Sequence, residues 1–268
     1  MADKFPYPLG GRSPAEISLP SAPLARVLAQ VRFPGILKID IKEVVAQFQE
    51  EIRANYPLFE QQPSQQIHLQ VGAAAPILQQ TPGNVWSFSD AKNEWRLILN
   101  NSSLSLDTTN YVSREDFVTR LATVLTAAQL VFSPQIALRI GLRYVDRVVG
   151  EPLKVIDDLV KPNMLGIATP ELRHYVRHAL TEATLLIEEG EMLLRWGHLP
   201  PNTTVQPGML DTIPETSWIL DIDVSSGEQR AFDSKDLSVA FRTLAERAYC
   251  VFRFMITDNF LRTYGAKL

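Results

Sequence analysis

The chain has 268 residues, of which 46% are hydrophobic and 21% charged, and this composition is typical of a globular protein. Its net charge of −4 excludes a general basic field for nucleic acid or an anionic membrane, and leaves only a local arginine patch open. The single cysteine, Cys250, excludes an intramolecular disulfide and a thiolate metal cluster. Residues 1–20 lack the pattern of a signal peptide and no apolar run is long enough to span a bilayer, so we expect a cytoplasmic protein without a membrane partner.

The first half of the chain alternates short strands with two helices. Residues 1–23 hold five prolines, which predicts an extended arm. A helix is predicted over 40–56 with Asp40 as its N-cap, and a second helix follows Ser113 and Asp116, which resemble a capping box. Alternating or β-rich stretches predict five strands, at 24–33, 67–71, 85–89, 94–100 and 102–107.

The second half repeats this alternation after a long strand predicted over 136–149. A short helix is predicted over 153–160, and a proline-rich loop over 199–216. Asp233 and Asp236 stand before a long amphipathic helix as an N-terminal cap. Three more strands are predicted, at 175–188, 191–198 and 217–224.

An internal repeat is suggested by two matching segments. Leu-Ser-Leu-Asp at 104–107 and Leu-Asp-Ile-Asp at 220–223 each precede a polar turn, a capping pair and a long apolar helix. We therefore predict an α+β fold of two similar halves, each with antiparallel strands followed by a long amphipathic helix packed on one sheet face. The predicted boundaries are an arm at 1–23, a first half at 24–150 and a second half at 151–268, which together form one compact unit.

Three stretches carry a family resemblance, and their most specific parts are Arg-Ile-Gly-Leu-Arg-Tyr at 139–144 and Ile-Thr-Asp at 256–258. With 23–33 and 220–223 they resemble an uncharacterised, sporadically distributed family of bacterial and archaeal proteins of about this length, over nearly the whole chain. That family's pattern has Asn after Val145, where this chain has Asp146. The resemblance implies no activity, but its patchy distribution implies mobile genes such as antiviral-defence or toxin–antitoxin cassettes.

The most polar predicted strand carries a row of arginines. Because side chains alternate along a strand, Arg139, Arg143 and Arg147 share one face. Guanidinium groups in a row can bind phosphates or carboxylates. Asp221 and Asp223 share a face in the same way on a later strand and can neutralise the arginines. Three interpretations stay open: a structural lattice of salt bridges, a surface for a partner protein, and a phosphate or nucleic-acid site.

Two further patterns point weakly to metal chemistry. His174 and His178 are four residues apart and would share a helix face, but a third ligand is not evident beyond Glu171 and Glu182. Paired carboxylates on one strand, such as those of the Asp-x-Asp at 221–223, occur in metal-dependent phosphodiesterases. Both patterns are common in ordinary proteins, so we expect no metal site, no cofactor and no catalytic residue.

The C-terminal helix region carries apolar residues away from its main stripe, which predicts a partner or dimer interface at Phe254, Phe260, Leu261 and Tyr264. We therefore expect a non-enzymatic interaction protein whose partner is another protein or a second copy, as a subunit or partner-neutralising component of a mobile defence or toxin–antitoxin system. The alternatives are the phosphodiesterase above and a cup in which the sheet and a long helix enclose a small molecule. A closed cavity of roughly several hundred cubic ångströms beneath the last long helix would favour the cup.

Overall fold

A computed structural model describes residues 8–11, 13–70 and 77–267 of the chain, with only the backbone described over 62–70 and 77–83. The predicted α+β class is confirmed. The strands are β1 (Leu24–Arg32), β2 (Leu58–Gln70), β3 (Ile77–Ser89), β4 (Trp95–Asn100), β5 (Ser103–Thr108), β6 (Ile136–Ala137), β7 (Arg139–Val148), β8 (Ala179–Ile187), β9 (Gly190–Leu199), β10 (Ser217–Ser226) and β11 (Arg230–Ala231). The helices are α1 (Lys42–Ile52), α2 (Arg114–Phe132), α3 (Gly150–Lys154), α4 (Ile156–Leu159), α5 (Ser234–Met255) and α6 (Asp258–Thr263), with single 3-10 turns at Leu37–Asp40 and Pro162–Met164.

Nine strands form one antiparallel sheet in the order β2-β3-β4-β5-β1-β7-β10-β9-β8. The two central strands, β1 and β7, begin the two runs of strands that extend to opposite edges. A small second sheet joins β6 and β11. The predicted duplication stays a prediction. Because β1 and β7 are hydrogen-bonded neighbours, strands from both parts of the chain belong to one continuous sheet.

One face of the sheet is apolar because its strands alternate and three helices cover it. Val27, Ala29 and Val31 of β1 are buried there, as are Ile140 and Leu142 of β7. Helix α2 contacts α1 and α5, and α5 contacts β7 and β10. Burying this apolar surface is the main favourable contribution to folding. Within the described ranges, none of the helices is long and apolar enough to cross a bilayer.

The predicted caps of the two long helices are confirmed. The Ser113 side chain accepts a hydrogen bond from the backbone N–H of Asp116 at 3.1 Å, which begins α2. The Asp233 carboxylate accepts hydrogen bonds from the N–H groups of Lys235 and Asp236 at 2.9 and 3.0 Å, which begins α5. Each cap satisfies helix donors that would otherwise lack a partner.

In the first half, one local prediction is wrong and the bounds of another are too short. Asp40 does not cap α1, because it ends the 3-10 turn and its carboxylate accepts the N–H of Asn84 at 3.2 Å. The short strand predicted over 67–71 is replaced by the much longer β2, which pairs with β3 along its whole length. Inter-strand hydrogen bonds stabilise this glutamine-rich segment as a strand although it lacks apolar alternation. Val71, at the end of the predicted strand, lies outside the described residues.

The arm and the long loop pack on opposite sides of the sheet. In the arm, Ile17 donates its N–H to the Tyr249 hydroxyl of α5 at 2.9 Å, so the arm lies along that helix. In the loop over 199–216, Met209 and Leu210 form a second apolar cluster with residues of β7 and β10, Val145 and Ile219. The arm therefore covers the helix side of the sheet, and the loop covers part of its polar side.

Candidate functional site

The predicted arginine row lies on the polar side of the sheet, and its central member is fully paired. Arg143 donates from Nε and Nη2 to the two carboxylate oxygens of Asp221, each at 2.7 Å, and from Nη1 to Gln206 at 2.7 Å. Both charged side chains are buried. This bidentate geometry is the strongest arrangement available to an arginine and a carboxylate. Arg143 therefore has no free guanidinium face for a phosphate.

The other two arginines of the row also face the protein. Arg147 donates from Nη1 to the backbone carbonyl of Asp211 at 2.6 Å. Burial lowers the pKa of Arg147, although the charge of Asp211 opposes this. Arg139 lies flat against Gly141, where a Cβ would come within 3.2 Å of its Nη1. The side chains of the arginine row therefore contact the loop over 199–216 or the backbone of β7.

The aspartates extend the pairing across four strands. Arg195 of β9 lies 3.5 Å from Asp221 and donates to Glu182 of β8 at 2.6 Å. Glu182, Arg195, Asp221 and Arg143 then alternate in charge from β8 to β7. Burial raises the pKa of Asp223, and the charge of Arg143 opposes this. This geometry favours the interpretation as a structural lattice of salt bridges, because each of these four side chains lies beside an opposite charge.

The pattern Asp221–Asp223 does not form a set of metal ligands. Asp221 is 1% exposed and committed to Arg143. Among the described residues, no group of three or more His, Cys, Asp or Glu side chains is placed to hold a metal ion. His174 and His178 are both exposed in the segment before β8, which begins at Ala179, so the strand predicted from 175 is too long at its start. The phosphodiesterase interpretation gains no support from these residues.

The predicted interface at the C-terminal helices is largely internal, and this is a correction. Phe260 and Leu261 of α6 are 0% exposed, and Tyr264 is 8% exposed. Phe260 packs edge-on against Phe252 of α5, with ring centroids 5.7 Å apart. Only Phe254 reaches the surface, at 42% exposed. The apolar residues of this region therefore pack against one another where α5 and α6 meet, as Phe260 does against Phe252 and Tyr264.

The structure places a pocket of about 320 Å³ between the arm, the sheet and α5. We call it the arm pocket. Its exposed lining residues, which include Glu16, Ser18 and Val112, mark the side that opens to solvent. Its inner wall is apolar and aromatic, and lies on the face of the sheet that the helices cover; it is formed by Leu24, Tyr111, Tyr144, Ile222, Ala245, Ala248, Tyr249 and Phe252.

Asp146 lies in this inner wall and is the unusual residue of the pocket. It is 5% exposed, and no described residue donates a hydrogen bond to its carboxyl group. Strand alternation puts it on the apolar face of β7, between Tyr144 and Val148. Burial raises the pKa of Asp146 from 3.8 to about 7. Perturbed carboxyl groups of this kind, facing a pocket, are typical of functional sites.

No protein-family model matches this chain, and no curated protein matches it. Function is therefore inferred from the chemistry of the arm pocket itself, and the predicted family resemblance stays a prediction.

The other charged groups of the arm pocket are already paired. Arg114 lies 3.9 Å from the Glu16 carboxylate and 3.6 Å from that of Glu246. Its guanidinium also lies 5.4 Å from the centre of the Tyr249 ring. Burial raises the pKa of Tyr111 and Tyr144 well above the usual range for a phenol, so both are neutral at physiological pH. Asp146 is therefore the one pocket-lining charge, within the described part of the chain, that lacks an opposite charge or a donor.

Asp146 was not among the site residues predicted from the sequence, although one signal for it was present. Period-two alternation in β7 assigns Ile140, Leu142, Tyr144 and Val148 to the apolar face, and the same alternation assigns Asp146 to it. A carboxyl group on the apolar face of a central strand is expensive to bury and marks a position worth examining. The arginines of the opposite face form the more conspicuous sequence pattern, but the central one, Arg143, is paired with Asp221.

Proposed function

We propose that this protein binds a small organic molecule in the arm pocket. This corresponds to the small-molecule cup among the alternatives, although the pocket opens to solvent on one side where a closed cavity was expected. The observation that carries the proposal is a pocket of about 320 Å³ beneath α5 whose inner wall holds the buried, unpaired Asp146. Most ligand pockets combine an apolar lining with a few placed polar groups, as this one does.

The size of the pocket limits its ligand to a compact molecule. Its volume of about 320 Å³ is at the lower end of the range for ligand sites, which is roughly 300 to 1,000 Å³. An engineered cavity of about 150 Å³ in another protein binds benzene. The arm pocket therefore has room for one ring and a short substituent, or for an aliphatic chain of similar volume.

A pocket-filling substitution tests the proposal. Ala248 of α5 lines the pocket and is 2% exposed, so Ala248→Phe places a ring inside it. We expect 2-phenylethylamine to bind the wild-type protein saturably in ligand-observed NMR and to lose that binding in Ala248→Phe. A urea titration of the variant verifies that it remains folded. Binding that is equal in both proteins, or absent from both, would count against the pocket.

The interaction protein predicted from the sequence is a second proposal, and the observation that supports it is the exposed Arg32 on the polar side of the sheet, beyond the part that the loop covers. Arg32 of β1 is exposed there beside Arg139, with which it pairs in register. A partner protein with acidic side chains would complement this pair of cations. Light scattering over a concentration series tests a second copy as the partner: a mass that stays at one chain excludes it. A partner bound on this face should be released by Arg32→Glu.

A further inference from the structure

The charges around the arm pocket do not balance. Glu16 and Glu246 flank the single cation, Arg114, at 3.9 and 3.6 Å. Asp146 lines the same pocket, is 5% exposed, and forms no ion pair with a cation of the described residues. Burial in such a place favours the neutral acid, or a carboxylate beside a positive charge, because removing an isolated anion from water is very costly.

The walls around Asp146 also suit a cation. Tyr111 and Tyr144 contact each other edge to face, with ring centroids 5.8 Å apart, and Tyr249 and Phe252 add two further rings. Aromatic faces attract ammonium and guanidinium groups through the quadrupole of the ring. Leu24 and Ile222 provide apolar wall beside these rings. The pocket therefore combines one buried acid, several rings and an apolar surface.

We infer that the ligand of the arm pocket is a small organic cation, with an ammonium or amidinium group that pairs with Asp146 and an apolar body that contacts the rings. This inference rests on the proposed function, and it adds the charge of the ligand. A neutral ligand could at most donate a hydrogen bond to Asp146 without supplying an opposite charge, and an anionic ligand would be repelled. A cation supplies both the missing donors and the opposite charge.

Three probes of nearly equal shape separate charge from fit. They are 2-phenylethylamine, 2-phenylethanol and phenylacetate, which carry a positive, a zero and a negative charge on the same ring. We expect the amine to bind about 30-fold or more tightly than the alcohol, as for a buried charge pair, and phenylacetate to bind most weakly. In Asp146→Asn, which keeps the side-chain shape, the amine should lose this advantage over the alcohol. Isothermal titration measures all six affinities.

The possible results distinguish this inference from the proposed function. Equal binding of the amine and the alcohol to the wild-type protein would overturn the inference that the ligand is a cation. It would still support small-molecule binding in the arm pocket. Tightest binding of phenylacetate would also overturn it and assign the charge recognition to Arg114. If none of the three probes binds, both proposals fail. If Asp146→Asn loses the tighter binding of the amine while its affinity for the alcohol is unchanged, the result supports both the proposed function and the cationic ligand.

The pH dependence of amine binding is a second readout. Because burial raises the pKa of Asp146 to about 7, its proton must leave before it can pair with a cation. The amine stays protonated across this range, as a lysine does. We expect its affinity to rise about tenfold from pH 6 to pH 8 in the wild-type protein and to stay flat in Asp146→Asn. The other titratable groups that face Asp146 or line the pocket are Tyr144 of β7, Tyr111 before α2, Arg114 at the start of α2, Tyr249 of α5, Tyr264 after α6 and Glu16 of the arm.

Discussion

Replacing Asp146 with asparagine should stabilise this protein, and the gain should grow with pH. The carboxyl group is buried without a described donor, and its pKa rises from 3.8 to about 7 in the folded chain. Asparagine has nearly the same shape and remains neutral at every pH. The comparison therefore isolates the cost of ionising this one buried group.

The sign follows from proton binding. Between pH 3.8 and about 7 the folded chain holds a proton on Asp146 that the unfolded chain has released, so stability falls as pH rises. The loss is about 1.4 kcal/mol per pH unit and about 4 kcal/mol in total, and it levels off above pH 7. Relative to the wild type, Asp146→Asn should gain roughly 2.5 kcal/mol more at pH 8 than at pH 5.

Urea unfolding followed by tryptophan fluorescence measures this difference at pH 5, 6, 7 and 8. The protein should first be refolded from urea, so that no bound molecule contributes to its stability. Burial also lowers the pKa of His198 and raises that of Asp223, so the pH profile of either protein alone is a composite. Subtracting the two profiles removes these shared contributions.

Glu51→Gln is the matched control, because Glu51 is an exposed carboxyl group on α1. Its difference from the wild type should stay within about 0.5 kcal/mol at every pH. If the difference between Asp146→Asn and the wild type is equally flat with pH, then Asp146 ionises normally in the folded chain. That result would refute the burial argument and weaken the cation inference with it.

Three further predictions concern the framework around the pocket. Arg143→Met removes both hydrogen bonds to the buried Asp221 carboxylate, leaves it only the longer 3.5 Å contact with Arg195, and should cost about 3 to 5 kcal/mol in urea unfolding, much of which the double variant with Asp221→Leu should recover. Asp233→Ala removes the N-cap of α5 and should lower stability by about 1 kcal/mol, seen as a lower Tm. Gly197→Ala should unfold at a much lower urea concentration than Gly227→Ala, because Gly197 has a φ of +140° and a Cβ there would overlap a carbonyl of β8, whereas the space around Gly227 is open. Equal midpoints for the two glycine variants would contradict that reasoning.

Much of the fold could be predicted from the sequence, because the signals are local. Alternation located β1, β7 and β10, and the side chains of Ser113 and Asp233 marked the starts of the two long helices, as the structure confirms. These patterns arise from backbone hydrogen bonding and side-chain period within a few residues. Where a strand lacks apolar alternation and is stabilised by pairing with the next strand, as β2 is by β3, the predicted strand was too short.

The same distinction between local signals and tertiary contacts applies to the functional residues. The sequence by itself determined which residues share a strand face, including the arginine row on one side of β7 and Asp146 on the other. Only the tertiary structure decided that Arg143 is neutralised by Asp221, 78 positions along the chain, and that Phe260 and Leu261 are internal. Only the tertiary structure also brings the arm, β7 and α5 together around Asp146. The arm pocket is formed by segments that are far apart in sequence. Whether a buried charge is paired depends on the side chains that those segments place beside it, and the local sequence pattern does not contain this information.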